Sequence, residues 1–285
     1  MKIFYSPECL GYSHPGHPES PARARYTYEY LEKNGLEFID PKPCSDEEIL
    51  LAHTTKLLES VKNESFVDFD TPAFTGVFNI AKLSAGSAIN AAMHCLDKKE
   101  NTFSLMRPPG HHATKNDLGG FCYFNNIAIA CLKAQKDNHN VKKVAIVDFD
   151  CHHGNGTEDI MLGKKDFLYL SLHQSPLYPG TGLTSRENCL NYPLQANTSP
   201  EQYLSALEEG LHQVEKFNPD LLAVSAGFDS YKLDPITNLS LEQMTFYETG
   251  KMLAGFKKPS FAVLEGGYSK DLPECVYQFL TGFNE

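Results

Sequence analysis

The sequence predicts an α/β protein with an open, mainly parallel sheet and helices on both of its faces. Three observations predict it. Short apolar runs that read as buried strands alternate with helix-length segments along the chain. Cap and turn residues, chiefly Ser, Pro and Gly, punctuate the junctions. No repeat, low-complexity tract or linker divides residues 1–285, so one domain is expected.

In chain order, Lys2 to Tyr5 reads as a short strand, followed by a loop holding His14, His17 and Glu19 among prolines and glycines. Ser20-Pro21 supplies an N-cap and then proline at the first helical position, and Gly35 stops that helix after about four turns. Ser45 and Glu48 form a capping box that opens another helix. Phe66 to Pro72 is a turn with two acids, Asp68 and Asp70. From Val77 to Leu96 the small residues Ala81, Ala85, Ala88 and Ala92, with Leu83 and Ile89 between, predict a helix packed closely on a sheet. The strand Thr102 to Met106 runs into Arg107-Pro108-Pro109-Gly110-His111-His112, whose prolines and glycine exclude regular structure and hold the tandem histidines rigidly. Gly119-Gly120 and the aromatics Phe121, Tyr123 and Phe124 precede a helix through Lys133.

Val144 to Val147 is the central strand, and Asp148, Asp150, His152 and His153 follow it before Gly154 and Gly156 lead into a helix. Phe167 to Leu172 is a strand ending in His173 and a loop with Pro176, Tyr178, Pro179 and Gly180. Ser199-Pro200 and Gln202 open an amphipathic helix with Tyr203, Leu204, Leu207, Leu211 and Val214 on one side. Leu221 to Ser225 is a strand followed by Asp229, and Ser240 with Gln243 opens a further helix. Phe261 to Leu264 is a strand followed by Glu265-Gly266-Gly267-Tyr268.

Composition bounds the function. At 41% hydrophobic and 21% charged residues the chain is globular rather than disordered or fibrous. A net charge of −11 argues against direct nucleic-acid binding and is permissive for a cationic substrate. No apolar run reaches membrane-spanning length and the first residues lack a signal-peptide layout, which favours the cytoplasm. Eight cysteines without a C-x-x-C pair read as reduced thiols. A homo-oligomer is compatible with all of this.

In a parallel sheet ligands bind beyond the carboxyl ends of the strands. Five strands here end in His111/His112, Asp150/His152, His173, Asp229 and Tyr268. An isolated D-x-H more often caps a helix; the convergence of so many reactive groups on one edge decides against that. If the backbone stays extended, Asp150 and His152 share a face and, with Asp229, offer three ligands to one divalent ion, most plausibly zinc, leaving room for water and substrate. Two carboxylate ligands acidify bound water less than three imidazoles would, so a general base is required. His111 and His112 are available, Asp148 and Asn155 could orient their rings, and Tyr268 could donate to a developing oxyanion. These parts add up to metal-assisted amide hydrolysis.

The segments His17-Pro18-Glu19, Arg107 to His112, Gly120-Phe121-Cys122, Asp148 to Gly156, Ser225 to Asp229 and Gly266-Gly267-Tyr268 resemble, in order and over nearly the whole chain, the zinc-dependent histone deacetylase family. That family includes acetylpolyamine amidohydrolases and shares its fold with arginases. The resemblance implies zinc on Asp150, His152 and Asp229, His112 as main general base with His111 beside it, and Tyr268 polarising the scissile carbonyl. It further implies Gly120, Phe121 and Tyr178 along the substrate tunnel, and Asp70 at its rim. It places potassium near Asp148, Asp150, His152, Ser171 and Leu172. Asn155 stands where one major branch has aspartate, pointing to the class II-like branch. Ile236 follows Asp234-Pro235 where polyamine-selective relatives can carry an acid.

The expected activity is therefore deacylation of N-acetyl-lysine or a similar acylated amine, with an acetylpolyamine as the alternative substrate. A noncatalytic acyl-lysine-binding module is a second class, discriminated by turnover. A cysteine hydrolase using Cys151 or Cys122 is disfavoured because Cys151 and His152, adjacent on an extended strand, would point to opposite sides.

Overall fold

The computed structural model describes residues 1–285. Eight strands form one all-parallel sheet: β1 (Lys2–Phe4), β2 (Phe38–Ile39), β3 (Thr102–Ser104), β4 (Val144–Asp148), β5 (Phe167–Gln174), β6 (Cys189–Leu194), β7 (Leu221–Ala226) and β8 (Ser260–Leu264). Their spatial order is β2-β1-β3-β8-β7-β4-β5-β6. The helices are α1 (Pro21–Lys33), α2 (Asp46–Ile49), α3 (Thr55–Lys62), α4 (Val77–Lys98), α5 (Asn126–Asp137), α6 (Asn155–Met161), α7 (Pro200–Phe217), α8 (Gln243–Ala254) and α9 (Leu272–Phe283).

The pleat of the central strand divides the interior in two. Ala145 and Val147 point into a core with Leu31 of α1, Leu207 of α7, Phe246 of α8 and Phe279 of α9. Val144 and Ile146 point into the other, with Leu58 of α3, Ala88 of α4, Ile127 of α5 and Ile160 of α6. A strand covered on both faces has no polar side to show, which is why it is apolar throughout. None of the helices is long and apolar enough to cross a membrane.

The local signals hold with two corrections. Ser45 and Ser199 form their capping boxes, though α2 is a single turn. Ser240 does not cap α8; Glu242 is the N-cap residue, its backbone N–H donating to Thr245 Oγ1 at 3.2 Å. β4 stops at Asp148, so Asp150 and His152 lie on the loop beyond it and not on extended strand.

Register matters most for function. Asp148 pairs with Ser225 and Ser225 with Val263, while Val263 also pairs with Ser104, so β4, β7, β8 and β3 release their loops at one height.

His53 braces this edge from below. Its Nδ1 donates to the Thr114 carbonyl at 2.8 Å and its Nε2 accepts the Asn125 N–H at 2.8 Å, a pairing open only to the neutral ring. Burial holds the imidazole down at about 4. The unfolded chain, titrating near 6.5, then binds the extra proton, so this contribution is present above pH 6.5 and lost as pH falls toward 4. It amounts to about 2 kcal/mol between pH 7.5 and pH 5 by the linkage relation. Denaturant unfolding of wild type and His53→Leu at both pH values should show the wild type losing that much more; equal slopes would remove His53 from the acid sensitivity.

Candidate active site

Beyond the carboxyl edge lies a cavity of about 240 Å³ lined by His111, His112, Asp150, His152, Phe121 and Tyr268 among others. Asp150 and His152 reach it from the loop after β4, and Asp229, on the loop after β7, is fully buried behind His152. His152 Nδ1 lies 2.8 Å from Asp229 Oδ2 and 3.2 Å from Asp150 Oδ1. One ligand atom of each of these three residues falls within 4.8 Å of the others, and all three residues are buried.

Asp229 Oδ2 accepts no well-formed hydrogen bond although it is fully buried. An orphaned carboxylate oxygen facing an imidazole nitrogen and a second carboxylate is a set of electron-pair donors aimed at one cation. The two carboxylates set a negative field there: burial opposes charge on His152, yet Asp229 and Asp150 outweigh it and raise the imidazole to about 10. The same field would draw in a metal cation, which displaces that proton. Backbone closes the cradle from above. A Cβ at Gly266 would sit 2.5 Å from Asp150 Oδ2 and 2.6 Å from Asp229 Oδ2, so only glycine fits there. The Gly266 N–H donates to Asp150 Oδ2 at 2.7 Å. The residues present therefore fit a divalent ion.

The paired histidines arrive on the loop after β3, where their ring centroids lie 4.1 Å apart. His111 Nδ1 faces Asp148 Oδ2 at 3.1 Å, and its Nε2 is 3.8 Å from Asp150 Oδ1. Burial opposes its charge, but Asp148 and Asp150 prevail and raise it to about 10. His112 Nδ1 lies 2.8 Å from Asn155 Oδ1. An amide oxygen only accepts, so Nδ1 carries the proton and Nε2 keeps its lone pair. Burial, then the neighbouring His111 and His152, hold His112 well below the usual imidazole range. Adjacent histidines in one loop thus take opposite protonation states, because one ring faces carboxylates and the other an amide.

The remaining residues frame the cavity. A Cβ on Gly120 would collide with the His112 ring, and Gly120 adopts φ +57°. Phe121 packs edge-on against His17 at 4.6 Å and Tyr268 at 5.9 Å, and the Tyr178 ring stands 5.0 Å from His112. Asp70 Oδ1 accepts from Gly120 N at 3.0 Å and Thr71 Oγ1 at 3.1 Å. Ser171 and Leu172 lie on β5 beside the central strand, Ser171 in register with Asp148, and the Ser171 hydroxyl is 2.9 Å from His173 Nδ1. His173 itself is inside β5, its Nε2 donating to the Gly182 carbonyl at 3.0 Å; the expectation that it joins the reactive edge is corrected. His17 is likewise structural, its Nε2 donating to the Asp70 carbonyl at 3.0 Å.

Three groups have roles that went unassigned in the sequence. Glu19, fully buried, takes two hydrogen bonds from Arg107, at 2.5 and 2.7 Å, and thereby anchors the base of the histidine loop. Arg23 lies 4.7 Å over the Tyr268 ring and donates to the Gly267 carbonyl at 2.6 Å. Asp234 accepts the Tyr268 N–H at 2.7 Å. A charged residue in a segment that must be buried is the signal that could have found Glu19.

A parallel sheet whose carboxyl edge carries a buried Asp-His-Asp cluster beside paired histidines defines a class, the α/β amidohydrolases. The histone deacetylase domain model matches residues 17–283. A probable deacetylase of Archaeoglobus fulgidus is 38% identical over 90% of this chain and 77% of its own length. The histone deacetylase-like amidohydrolase of Pseudomonas aeruginosa is 35% identical over 94% of this chain and 77% of its own. Among solved structures, the HD domain of HDA15 superposes with a TM-score of 0.93 at 29% identity, covering 98% of this chain and 90% of that one. The acetylpolyamine aminohydrolase of Burkholderia pseudomallei gives 0.91 at 26%, covering 99% and 98%. The chain belongs to the histone deacetylase family, and its activity is that of a deacylase acting on amides.

Proposed function

We propose that the protein is a zinc-dependent deacylase that hydrolyses the amide of N-acetyl-lysine or a similar acylated amine to a carboxylate and a free amine. The observation that carries the reading is the buried donor cluster of Asp150, His152 and Asp229, with its orphaned carboxylate oxygen, at a cavity that Asp150, His152 and His112 line. Zinc held by those three residues would supply a Lewis acid for the scissile carbonyl and the attacking water.

The chain's own groups do the rest. His112, neutral and held by Asn155, takes the proton of the attacking water on Nε2. His111, charged between Asp148 and Asp150, stabilises negative charge beside it. Tyr268 donates its hydroxyl proton in a hydrogen bond to the carbonyl oxygen as charge develops there, its backbone fixed by Asp234. The proton collected by the histidines then passes to the leaving amine. Phe121 and Tyr178 exclude water around the acylated side chain, and Gly120 lets the wall close on His112. Asp70, with one oxygen already satisfied by Gly120, has its other available to a substrate amide N–H. Potassium near Asp148, Asp150, His152, Ser171 and Leu172 would offset the acidic charge packed under the site.

Acyl-lysine is favoured over an acylpolyamine because Ile236, which lines the cavity, stands where polyamine-selective relatives can carry an acid. The test is a turnover screen of the zinc-loaded protein across acetyl-lysine peptides, acetylpolyamines and longer acyl chains, with hydroxamate binding in parallel. Hydrolysis of acyl-lysine peptides is expected. Hydroxamate or acyl-lysine binding without any turnover would make the protein a noncatalytic module, and neither binding nor turnover would end the reading.

A further inference from the structure

Glu265, the residue after β8, is fully buried and has no part in the chemistry described so far. Its contacts tie four parts of the fold together. Oε2 accepts the Gly110 N–H at 2.7 Å and the His111 N–H at 3.2 Å. Oε1 accepts the Ser225 hydroxyl of β7 at 3.0 Å. The Glu265 backbone N–H donates to the Ala226 carbonyl at 2.9 Å, and its carbonyl accepts from Arg23 of α1 at 2.5 Å. From this we propose that Glu265 is a positioning residue, which sets the height of the His111–His112 loop over the metal cluster by giving two adjacent loop N–H groups one common acceptor.

The loop is held at its carbonyls by other partners, Pro108 by Ser84 and Asn126 and His111 by Thr157. Its Gly110 and His111 N–H groups, however, find their acceptor only in Glu265. The loop follows a three-residue strand and two prolines, so the sheet ladder stops short of it. Gly110 is pressed against neighbouring backbone, since a Cβ there would meet Asn126 N at 2.5 Å and Phe124 O at 2.9 Å. The two N–H groups therefore point into the protein, where an unpaired donor is costly. Glu265 in turn sits one residue before Gly266, whose N–H holds Asp150. One short segment after β8 thus grips a metal-ligand carboxylate by its backbone and the base-bearing loop by its side chain. The distance between ligand cluster and base is fixed through a single residue step.

What this geometry requires is an acceptor oxygen, and not a charge. Burial pushes the Glu265 carboxyl up to about 7. In either protonation state Oε2 can receive both N–H groups, while Oε1 accepts from or donates to the Ser225 hydroxyl. Glutamine can do the same, its oxygen toward the loop and its amide nitrogen toward Ser225.

The inference rests on the histidine pair acting as proposed, and the experiment separates the two. Wild type, Glu265→Gln and Glu265→Ala are compared for kcat, KM, zinc content and hydroxamate affinity on an acetyl-lysine peptide. Glu265→Gln should keep kcat within about threefold of wild type. Glu265→Ala should lose kcat on the order of 10²-fold, the scale for an ångström of misplacement, with KM and zinc stoichiometry unchanged. Wild-type kcat in Glu265→Ala overturns the inference, as does a folded Glu265→Gln as impaired as the alanine variant, or parallel loss of zinc and activity in the latter. If the alanine variant does not fold, the activity of Glu265→Gln still decides. Failure of wild type to turn over any acylated amine would instead sink the functional reading beneath it.

Discussion

Asp229→Asn is expected to lose both metal and activity while keeping its fold. The substitution is chosen for its shape. Asp229 Oδ1 accepts the Cys151 N–H at 2.9 Å, and an asparagine oxygen can keep that bond. What goes is the charge on Oδ2, the buried oxygen that faces His152 Nδ1 at 2.8 Å. Burial and then the nearby Asp150 push the Asp229 carboxyl upward while His152 pulls it back, so a neutral asparagine should be accommodated with the fold intact, read as an unchanged cooperative unfolding transition. Outer-shell partners of metal sites typically contribute 10- to 100-fold in affinity, and a direct ligand should exceed about 100-fold. Zinc stoichiometry after dialysis, with turnover measured on the same samples, checks this. Retained zinc and retained turnover would remove Asp229 from the centre.

The second large effect is expected from His112→Ala, which should lower kcat/KM by about 10² to 10⁴, the range for removing a general base, and leave zinc content unchanged. Its pH dependence carries a sign. Burial and the two neighbouring histidines hold His112 well below 6.5, so the base remains unprotonated until pH falls below that value. The acid limb of kcat/KM in the wild type should then lie under pH 6.5 and disappear from the residual activity of His112→Ala. Asn155→Asp should move the limb upward, because a carboxylate in place of the amide 2.8 Å from Nδ1 favours the charged ring. Full activity in His112→Ala would take it out of the reaction.

Much of the site could be read from residues near one another in sequence. The tandem histidines, the acids and imidazole after the central strand, and the glycine pair before Tyr268 all stand at strand ends that apolar runs announce. Other features were silent. β2 is two residues long, and β6 contains Asn191 and Pro193, so neither offers an apolar run. α9 sets Glu274, Gln278 and Thr281 on one face and packs its apolar residues toward α1 and α8, a helical pattern present in the sequence to which no element was assigned. The geometry by which Asp150 and His152 meet was misread as extended strand, although their convergence was expected; the chain leaves the sheet at Asp148 and a loop brings the side chains together. Glu265 was noted in passing as the residue after a strand, with no role attached.

By itself the sequence determined the fold class, the edge of the sheet where reactive groups gather and the chemical types of those groups, because strand periodicity, caps and turns act over a few residues. The tertiary structure alone decided that β7 lies beside β4 and β8 between β7 and β3, in a register that brings Asp229 to His152 and Glu265 to Gly110. It alone decided that His111 faces carboxylates and His112 an amide. Strand order and the burial that sets a proton's place depend on contacts between segments far apart in the chain, and no local pattern encodes them.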